Sequence, residues 1–427
     1  MRPAHHADDT RTLFQNPWNI VETDAAPPTG NTGPQGRTVR RAFTLPLPAL
    51  PSLPAISDIP LEFARAHPAH PHPPVKVVKP DWGATKSSGR PEPSVKATWL
   101  GHASFLVEFP GTSSSDGEEP PRVLFDPIFS NRAGPSPWVG VHRRLPPPCT
   151  VEQLPTVHFV VYSHNHYDHL DLPTLQSIYS WRGTGVHFII PLGNKAWFLE
   201  TGIPASQVTE MDWWDTLTLP VAPRSSQHLK FVCTPAQHTS GRGFMDTRTT
   251  LWASWVVEQS LPLPDGADAR VSAYFAGDSG YMTTNGPCPI FEDIGERYGP
   301  FDVAMLPIWR GGTLSFIARL GLRLLETPKS FLTALHATPA QALRMHGALR
   351  SRHTLAMHFA TFAGSDIEAF DPIVELEQAK ELIGRETGED GKSASVGEWW
   401  EEGGMGVIDV GETAVISCAG GEGARDR

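Results

Sequence analysis

The stretch Tyr162 to Pro173, YSHNHYDHLDLP, sets His164, His166 and His169 around Asp168. Imidazole and carboxylate are ligands that zinc accepts, and a set without thiolates suits an open catalytic site better than a closed structural one. In one tight loop His164 and His166 can point together at one ion, with Asp168 and His169 turned toward a second. A lone histidine is weak evidence, but H-x-H-x-D-H in a single loop after an apolar strand is a strong metal signal. By the same standard His158 in TVHFVV and His187 in GVHFIIP, which lie inside apolar runs, read as strand or core residues.

Other suspicious residues also follow apolar runs: His238 after LKFVCTP, Asp278 after VSAYFAG, and His358 closing RHTLAMH. Strand ends that converge on one rim of a sheet are where α/β folds place their chemistry. Together these imidazoles and carboxylates suit two divalent ions, which Asp278 could bridge at about 3.5–4 Å separation. Asp126, at the end of LFDP, either accepts a hydrogen bond from a ligand histidine or simply shapes a turn; both readings stand.

The elements that must carry these residues begin at Val95. VKATWLGHASFLVEF breaks at Gly101 into two strands, RVLFDPIF gives a third, and VHFVVYSH is a buried strand that delivers the histidine loop. A helix over 173–181, strand VHFII, helix NKAWFLETG and strand LKFVCTP follow. Strands LWASWVVE and VSAYFAGD come next, then a helix at IFEDIGERYG and strand DVAMLPI. This alternation, with no second linker and no internal repeat, predicts one α/β domain over 94–418. Residues 1–93, with LPLPALPSLPAISDIP and HPAHPHPPVKVVKP, form a Pro-rich extended leader, because proline removes backbone donors. Its His67, His70 and His72 read as solvated linker. Residues 419–427 read as a flexible tail.

Composition narrows the chemistry. The 35 Lys+Arg against 46 Asp+Glu give a net charge of −11, which works against a strong hold on nucleic acid phosphates. Four scattered cysteines, Cys149, Cys233, Cys288 and Cys418, indicate reduced thiols in an intracellular compartment. The N-terminus lacks the apolar run of a secretory signal, and no apolar run approaches the roughly 20 residues that span a bilayer. Any membrane contact is therefore peripheral. On a helical wheel LSFIARLGLRLL gathers Leu314, Ile317, Leu324 and Leu325 on one face opposite Arg319 and Arg323, the pattern of an interfacial helix or of one packed on the protein's own core.

Longer strings in order, WLGHASFLVE, LFDPIFS, PPPCTVEQLP, SHNHYDHLD, MDWWD, FVCTPAQHTSGRGFMDTRTTLWASWVV, FAGDSGY, FEDIGERYGPFDVAMLPI and HFATF, resemble the N-acylphosphatidylethanolamine-hydrolysing phospholipase D family within the metallo-β-lactamase fold superfamily. The resemblance implies an αβ/βα sandwich of two mixed sheets with outer helices. It also implies one zinc on His164, His166 and His238, a second on Asp168, His169 and His358, and Asp278 as the bridge. His336 in LHATPAQA fits the family's H-x-x-P element near the site. The chain departs from the family by added residues around MTTNGP and by a longer connection from Trp309 to Leu335, both flanking the expected rim.

The expected reaction is hydrolysis of N-acylphosphatidylethanolamine to an N-acylethanolamine and phosphatidic acid. Two zinc ions per chain are expected, with iron and manganese also compatible. Asp168 would orient the attacking hydroxide, and His336 would neutralise the leaving alkoxide or hold the phosphate. The resemblance also suggests a homodimer attached peripherally to an internal membrane, a mitochondrial one among the candidates, with a membrane phospholipid as its partner. Alternatives that keep the metal site are a lactonase or a soluble phosphodiesterase, and, less favoured by the charge, a tRNA-processing nuclease. From another class, the protein would be a metal-stabilised, non-catalytic binding module.

Overall fold

A computed structural model describes residues 4–18, 61–63, 75–87, 93–111, 118–243, 245–262, 268–283, 285–309, 322–324, 335–364, 366–386 and 396–418. Fourteen strands build two sheets: β1 Ser94–Gly101, β2 Ser104–Glu108, β3 Arg122–Phe125, β4 Phe159–Val161, β5 His187–Pro191, β6 Val208–Met211, β7 Thr216–Pro220, β8 His228–Thr234, β9 Ser254–Pro262, β10 Asp268–Phe275, β11 Val303–Pro307, β12 His353–Met357, β13 Gly404–Gly406 and β14 Thr413–Ser417. The first sheet runs β14-β1-β2-β3-β4-β5-β6 and the second β7-β8-β9-β10-β11-β12-β13. In each, the first three pairings are antiparallel and the last three parallel. The longer helices among the described residues are α1 Leu172–Arg182, α2 Lys195–Glu200, α3 Ile290–Tyr298, α4 Pro339–Leu349 and α5 Asp366–Glu386.

Period-two alternation sorts the first sheet's side chains into two cores. Phe105, Val107, Val123, Phe125, Phe159, Val161 and Ile189 face the second sheet. Their neighbours Leu106, Leu124, Val160, Phe188 and Ile190 face the layer that holds Leu175 and Ile178 of α1 and Phe198 of α2. Between the sheets Phe125 stacks on Phe275 with ring centres 4.7 Å apart, and Phe159 meets Phe231 edge to face at 5.0 Å. The second sheet is covered by α4, which touches α3, α5 and β11. This is the expected sandwich of two mixed sheets with outer helices.

Parts of the Pro-rich segment pack on this body. Phe14 and Val75 enter the core, and Val77 bridges Val410 in parallel. The added residues near 282–287 form a small hairpin, Met282–Thr283 with Gly286–Pro287.

One expectation needs correcting. The helix drawn over 314–325 does not hold at its C-terminal end, because Leu322–Leu324 is a strand paired antiparallel with Leu61–Phe63, Leu61 opposite Leu324. The wheel counted local periodicity and could not weigh backbone hydrogen bonds offered by a strand so distant in sequence. Leu314, Ile317 and Leu325, like His67, His70 and His72, lie outside the described residues.

If the ring pair between the sheets carries the sandwich, Phe231→Ala should lower unfolding stability by about 3–5 kcal/mol. Urea denaturation reads this directly; a loss under about 1 kcal/mol would show that the sheets repack around the gap.

Candidate metal centre

The expected metal ligands and Asp126 sit beyond the C-terminal ends of strands on one edge of the sandwich. Asp126 follows β3, the histidine loop follows β4, His238 follows β8, Asp278 follows β10 and His358 follows β12. The loop after β4 closes tightly, with the amides of His169 and Leu170 both donating to the His166 carbonyl at 3.1 and 2.9 Å. Asp171 then caps α1 by accepting from the Thr174 amide. Gly277 is required where the two sheet edges meet: its φ is +57°, and an added Cβ would lie 2.4 Å from the Ser163 Cβ.

The nitrogen geometry points to a cation. His164 Nε2 lies 2.8 Å from His166 Nδ1, and His238 Nε2 is 3.2 Å from each. Three imidazole nitrogens facing one point cannot all share protons, whereas nitrogens about 2.0–2.1 Å from a tetrahedral zinc would be separated by about 3.3 Å. The second group is Asp168, His169, His358 and a residue not singled out from the sequence, His102. Asp278 stands between the groups. Its Oδ2 is 3.1 Å from His169 Nε2, 3.6 Å from His238 Nε2 and 3.8 Å from His164 Nε2, and its Oδ1 is 3.0 Å from His358 Nε2. Yet His169 Nε2, His358 Nε2 and Asp278 Oδ1 are buried without an aligned hydrogen-bond partner. Close approach without alignment fits side chains arranged to ligate cations, so the residues present suit a pair of divalent metals.

Burial and neighbouring imidazoles hold His164 well below the usual imidazole range, and burial pulls His238 down and His166 to about 4. These rings are therefore neutral at pH 7, with lone pairs free for a metal. Burial acts against the charged form of His358, but the Asp278 and Asp168 carboxylates together outweigh it and lift the ring to about 8. For Asp278, burial pushes upward and the charges of His169 and His358 outweigh it, so the carboxyl stays well below the usual range.

Supporting contacts fix these side chains. Fully buried Asp126 accepts from the Ser163 amide at 2.7 Å and pairs its Oδ2 with His169 Nδ1 at 2.7 Å, leaving Nε2 aimed inward. His238 Nδ1 donates to the Leu335 carbonyl at 3.0 Å. His336, just before the capped start of α4, holds Nε2 3.2 Å from Asp278 Oδ2 and is 16% exposed, at the opening of the centre. Asp168 is 29% exposed beside it. His158 is buried just before β4 and His187 lies in β5, His158 accepting from the Arg122 amide and His187 paired with Thr209.

His102 is held in the left-handed region at φ 53°, its amide donating to Thr361 Oγ1 and its carbonyl accepting from the Trp99 indole and the His358 amide. Its Nε2 lies 3.0 Å from Asp168 Oδ2. Burial drives the ring to about 3, so it is neutral and donates to the carboxylate from Nε2. The sequence signal was only a histidine at the break between two strands; the fold holds it in the left-handed conformation that non-glycine residues rarely adopt. Asp126, His358 and Ala360 share that conformation, at φ 38°, 59° and 60°. Such residues cluster at functional sites.

His102→Ala should weaken the ion held by Asp168, His169 and His358 about 10- to 100-fold, measured by metal titration of the chelated protein; unchanged affinity would make the contact incidental. Because His358 is protonated below about pH 8, metal uptake should release protons and weaken as pH falls through that value. Calorimetry in buffers of different ionisation enthalpy checks this, and affinity that rises on acidification would contradict it.

Residues 121–359 match the β-lactamase superfamily domain family. The chain is 31% identical over 318 residues to N-acyl-phosphatidylethanolamine-hydrolyzing phospholipase D 1 of Caenorhabditis elegans, covering 73% of this chain and 76% of that protein. It is 27% identical over 295 residues to the mitochondrial enzyme of that name from Saccharomyces cerevisiae, covering 67% of this chain and 52% of the relative. Among solved structures, Igni18, a metallo hydrolase from Ignicoccus hospitalis, aligns over 75% of this chain and 98% of its own at 21% identity and a TM-score of 0.44. With the family domain matched over more than half its length and its sheet-edge histidines and aspartates gathered in one centre, this chain is a metal-dependent hydrolase belonging to the N-acylphosphatidylethanolamine-hydrolysing phospholipase D family of the metallo-β-lactamase fold.

Proposed function

We propose that this protein is a dinuclear zinc phosphodiesterase that hydrolyses N-acylphosphatidylethanolamine to an N-acylethanolamine and phosphatidic acid. The observation that carries the reading is the similarity to a relative of that name over 318 residues, since the fold alone hosts many reactions. A bound divalent pair supplies charge for the phosphate oxygens and a nucleophile at neutral pH.

This chain's own residues do the rest. His102 occupies one oxygen of Asp168, so the carboxylate is held rigid while its exposed side faces the opening, placed to orient attacking water. The water oxygen bonds to phosphorus as the bond from phosphorus to the ethanolamine oxygen breaks, and the leaving alkoxide takes up a proton. His336 sits at the opening with Nε2 toward Asp278, where an imidazole donates to a phosphate oxygen or to the departing alkoxide. The products are a neutral N-acylethanolamine and an anionic phosphatidic acid.

A cleft of about 460 Å³ is lined among others by Tyr167, which lies between His166 and Asp168 in the chain, and by Trp197, Arg242 and Arg132. It lies against the hairpin of Arg132–Ser136 and Val139–His142, whose turn exposes Trp138 by 87% and Val139 by 56%. An exposed tryptophan beside arginines suits the interface of a phospholipid bilayer. This supports peripheral membrane contact at the hairpin. Among the described residues no helix is long and apolar enough to cross a membrane.

The direct test is purified protein with N-acylphosphatidylethanolamine in mixed micelles, reading N-acylethanolamine with and without chelator. Chelator-sensitive release is expected, and His336→Ala should lose about 100-fold or more in turnover with metal content kept. No release by fully metal-loaded protein, with turnover of a lactone or a soluble phosphodiester instead, would replace the lipid reading with one of those alternatives. Trp138→Ser should lower binding to phospholipid vesicles several-fold while leaving hydrolysis of a soluble phosphodiester unchanged; equal vesicle binding would remove the hairpin from the interface.

A further inference from the structure

We propose that the N-terminal segment, residues 4–18, is a working part of the metal centre, with Asn16 as a positioning residue for His238. The amide Nδ2 of Asn16 donates to the His238 carbonyl at 2.7 Å, and its Oδ1 accepts from the Trp252 indole Nε1 at 3.2 Å. An indole only donates and a peptide carbonyl only accepts, so this is the one orientation of the side-chain amide that satisfies both partners. The same indole donates to the Ala236 carbonyl at 2.9 Å, which ties both ends of the short run into His238 to one tryptophan.

His238 leaves β8 through Pro235, Ala236 and Gln237, a stretch that no sheet ladder holds. Its position depends on individual contacts. The Gln237 amide donates to Ser279 Oγ at 3.0 Å, and the imidazole Nδ1 donates to the Leu335 carbonyl at 3.0 Å. Those contacts fix Gln237 and the ring; Asn16 holds the peptide that follows His238, from outside the catalytic sandwich.

The segment is built to hold that residue in place. His6 bridges Phe14 in antiparallel fashion, and the Gln15 amide donates to the His5 carbonyl at 2.9 Å. Asp8 closes the turn between them by accepting from the amides of Thr12 and Leu13 at 2.9 and 3.2 Å. Phe14 is fully buried, and its amide donates to the Arg248 carbonyl at 2.9 Å. At the other end His5 and His6 each place Nε2 2.7 Å from a different oxygen of Asp212, while His5 lies 4.4 Å from the Trp213 ring. Each of these two rings thus has its own carboxylate oxygen, unlike the converging nitrogens of the metal centre. The pair reads as a clasp.

The inference rests on the assignment of His238 as a ligand of the ion shared with His164 and His166. Full-length protein is stripped with chelator and titrated with zinc and, separately, with cobalt, whose visible spectrum reports ligand geometry. Wild type should take up two ions. Asn16→Ala should lose about 10-fold or more in affinity for one of them and shift the corresponding cobalt bands, with the other ion within about 2-fold of wild type. Asn16→Asp is the same size and keeps the acceptor for Trp252 but cannot donate to the carbonyl, so it should behave as Asn16→Ala does. Wild-type affinity and spectra in both variants, or equal weakening of both ions, would overturn the positioning role. Wild-type protein that takes up no ion would instead overturn the ligand assignment, and the inference with it.

Discussion

A carboxylate buried among imidazoles organises this molecule. Asp278 is 3% exposed, with His169, His238, His164 and His336 within 3.8 Å of one oxygen and His358 at 3.0 Å from the other. A charge so far from water is stable only if opposite charge is supplied there, by protons on histidines or by metal ions. Without metal, the protons fall on His358 and His169, whose rings are lifted by Asp278 against the pull of burial. With metal, the ions take that place. Folding of this edge and loading of the site are thus one electrostatic problem with two solutions.

The sandwich answers the geometric half of that problem. Each sheet turns the C-terminal ends of several strands to the same edge, so loops from β3, β4, β8, β10 and β12 meet without any one of them carrying the whole site. The close approach is bought with backbone constraint: Gly277 presses on Ser163, and His102, Asp126 and His358 take left-handed conformations. Aromatic packing between the sheets, Phe125 on Phe275 and Phe159 on Phe231, keeps the two edges in register. Core packing and site geometry are therefore coupled directly, with Phe275 only three positions from Asp278.

Much of this was legible in the sequence because local signals carried it. Apolar runs marked β4, β8, β10 and β12, and residues just past those runs are the ones that gather at the edge. What escaped depended on partners far along the chain. His102 looked like any histidine at a strand break; its partner Asp168 lies 66 positions away. Asn16 sat in a Pro-rich stretch that gave no reason to connect it with His238, 222 positions on. The strand at Leu322–Leu324 was hidden for the same reason, since its pairing partner is in that stretch as well. The matching order of antiparallel and parallel pairings in the two sheets has no counterpart in the sequence, because strand pairing constrains hydrogen bonds and burial without fixing which apolar residue is used.

The most direct test of the central claim is anomalous X-ray diffraction from crystals of the metal-loaded protein. The account predicts two peaks about 3.5–4 Å apart, one among His164, His166 and His238 and the other among Asp168, His169 and His358, with Asp278 between them. A single peak, or metal bound at His5, His6 and Asp212 with the centre left unfilled, would contradict it.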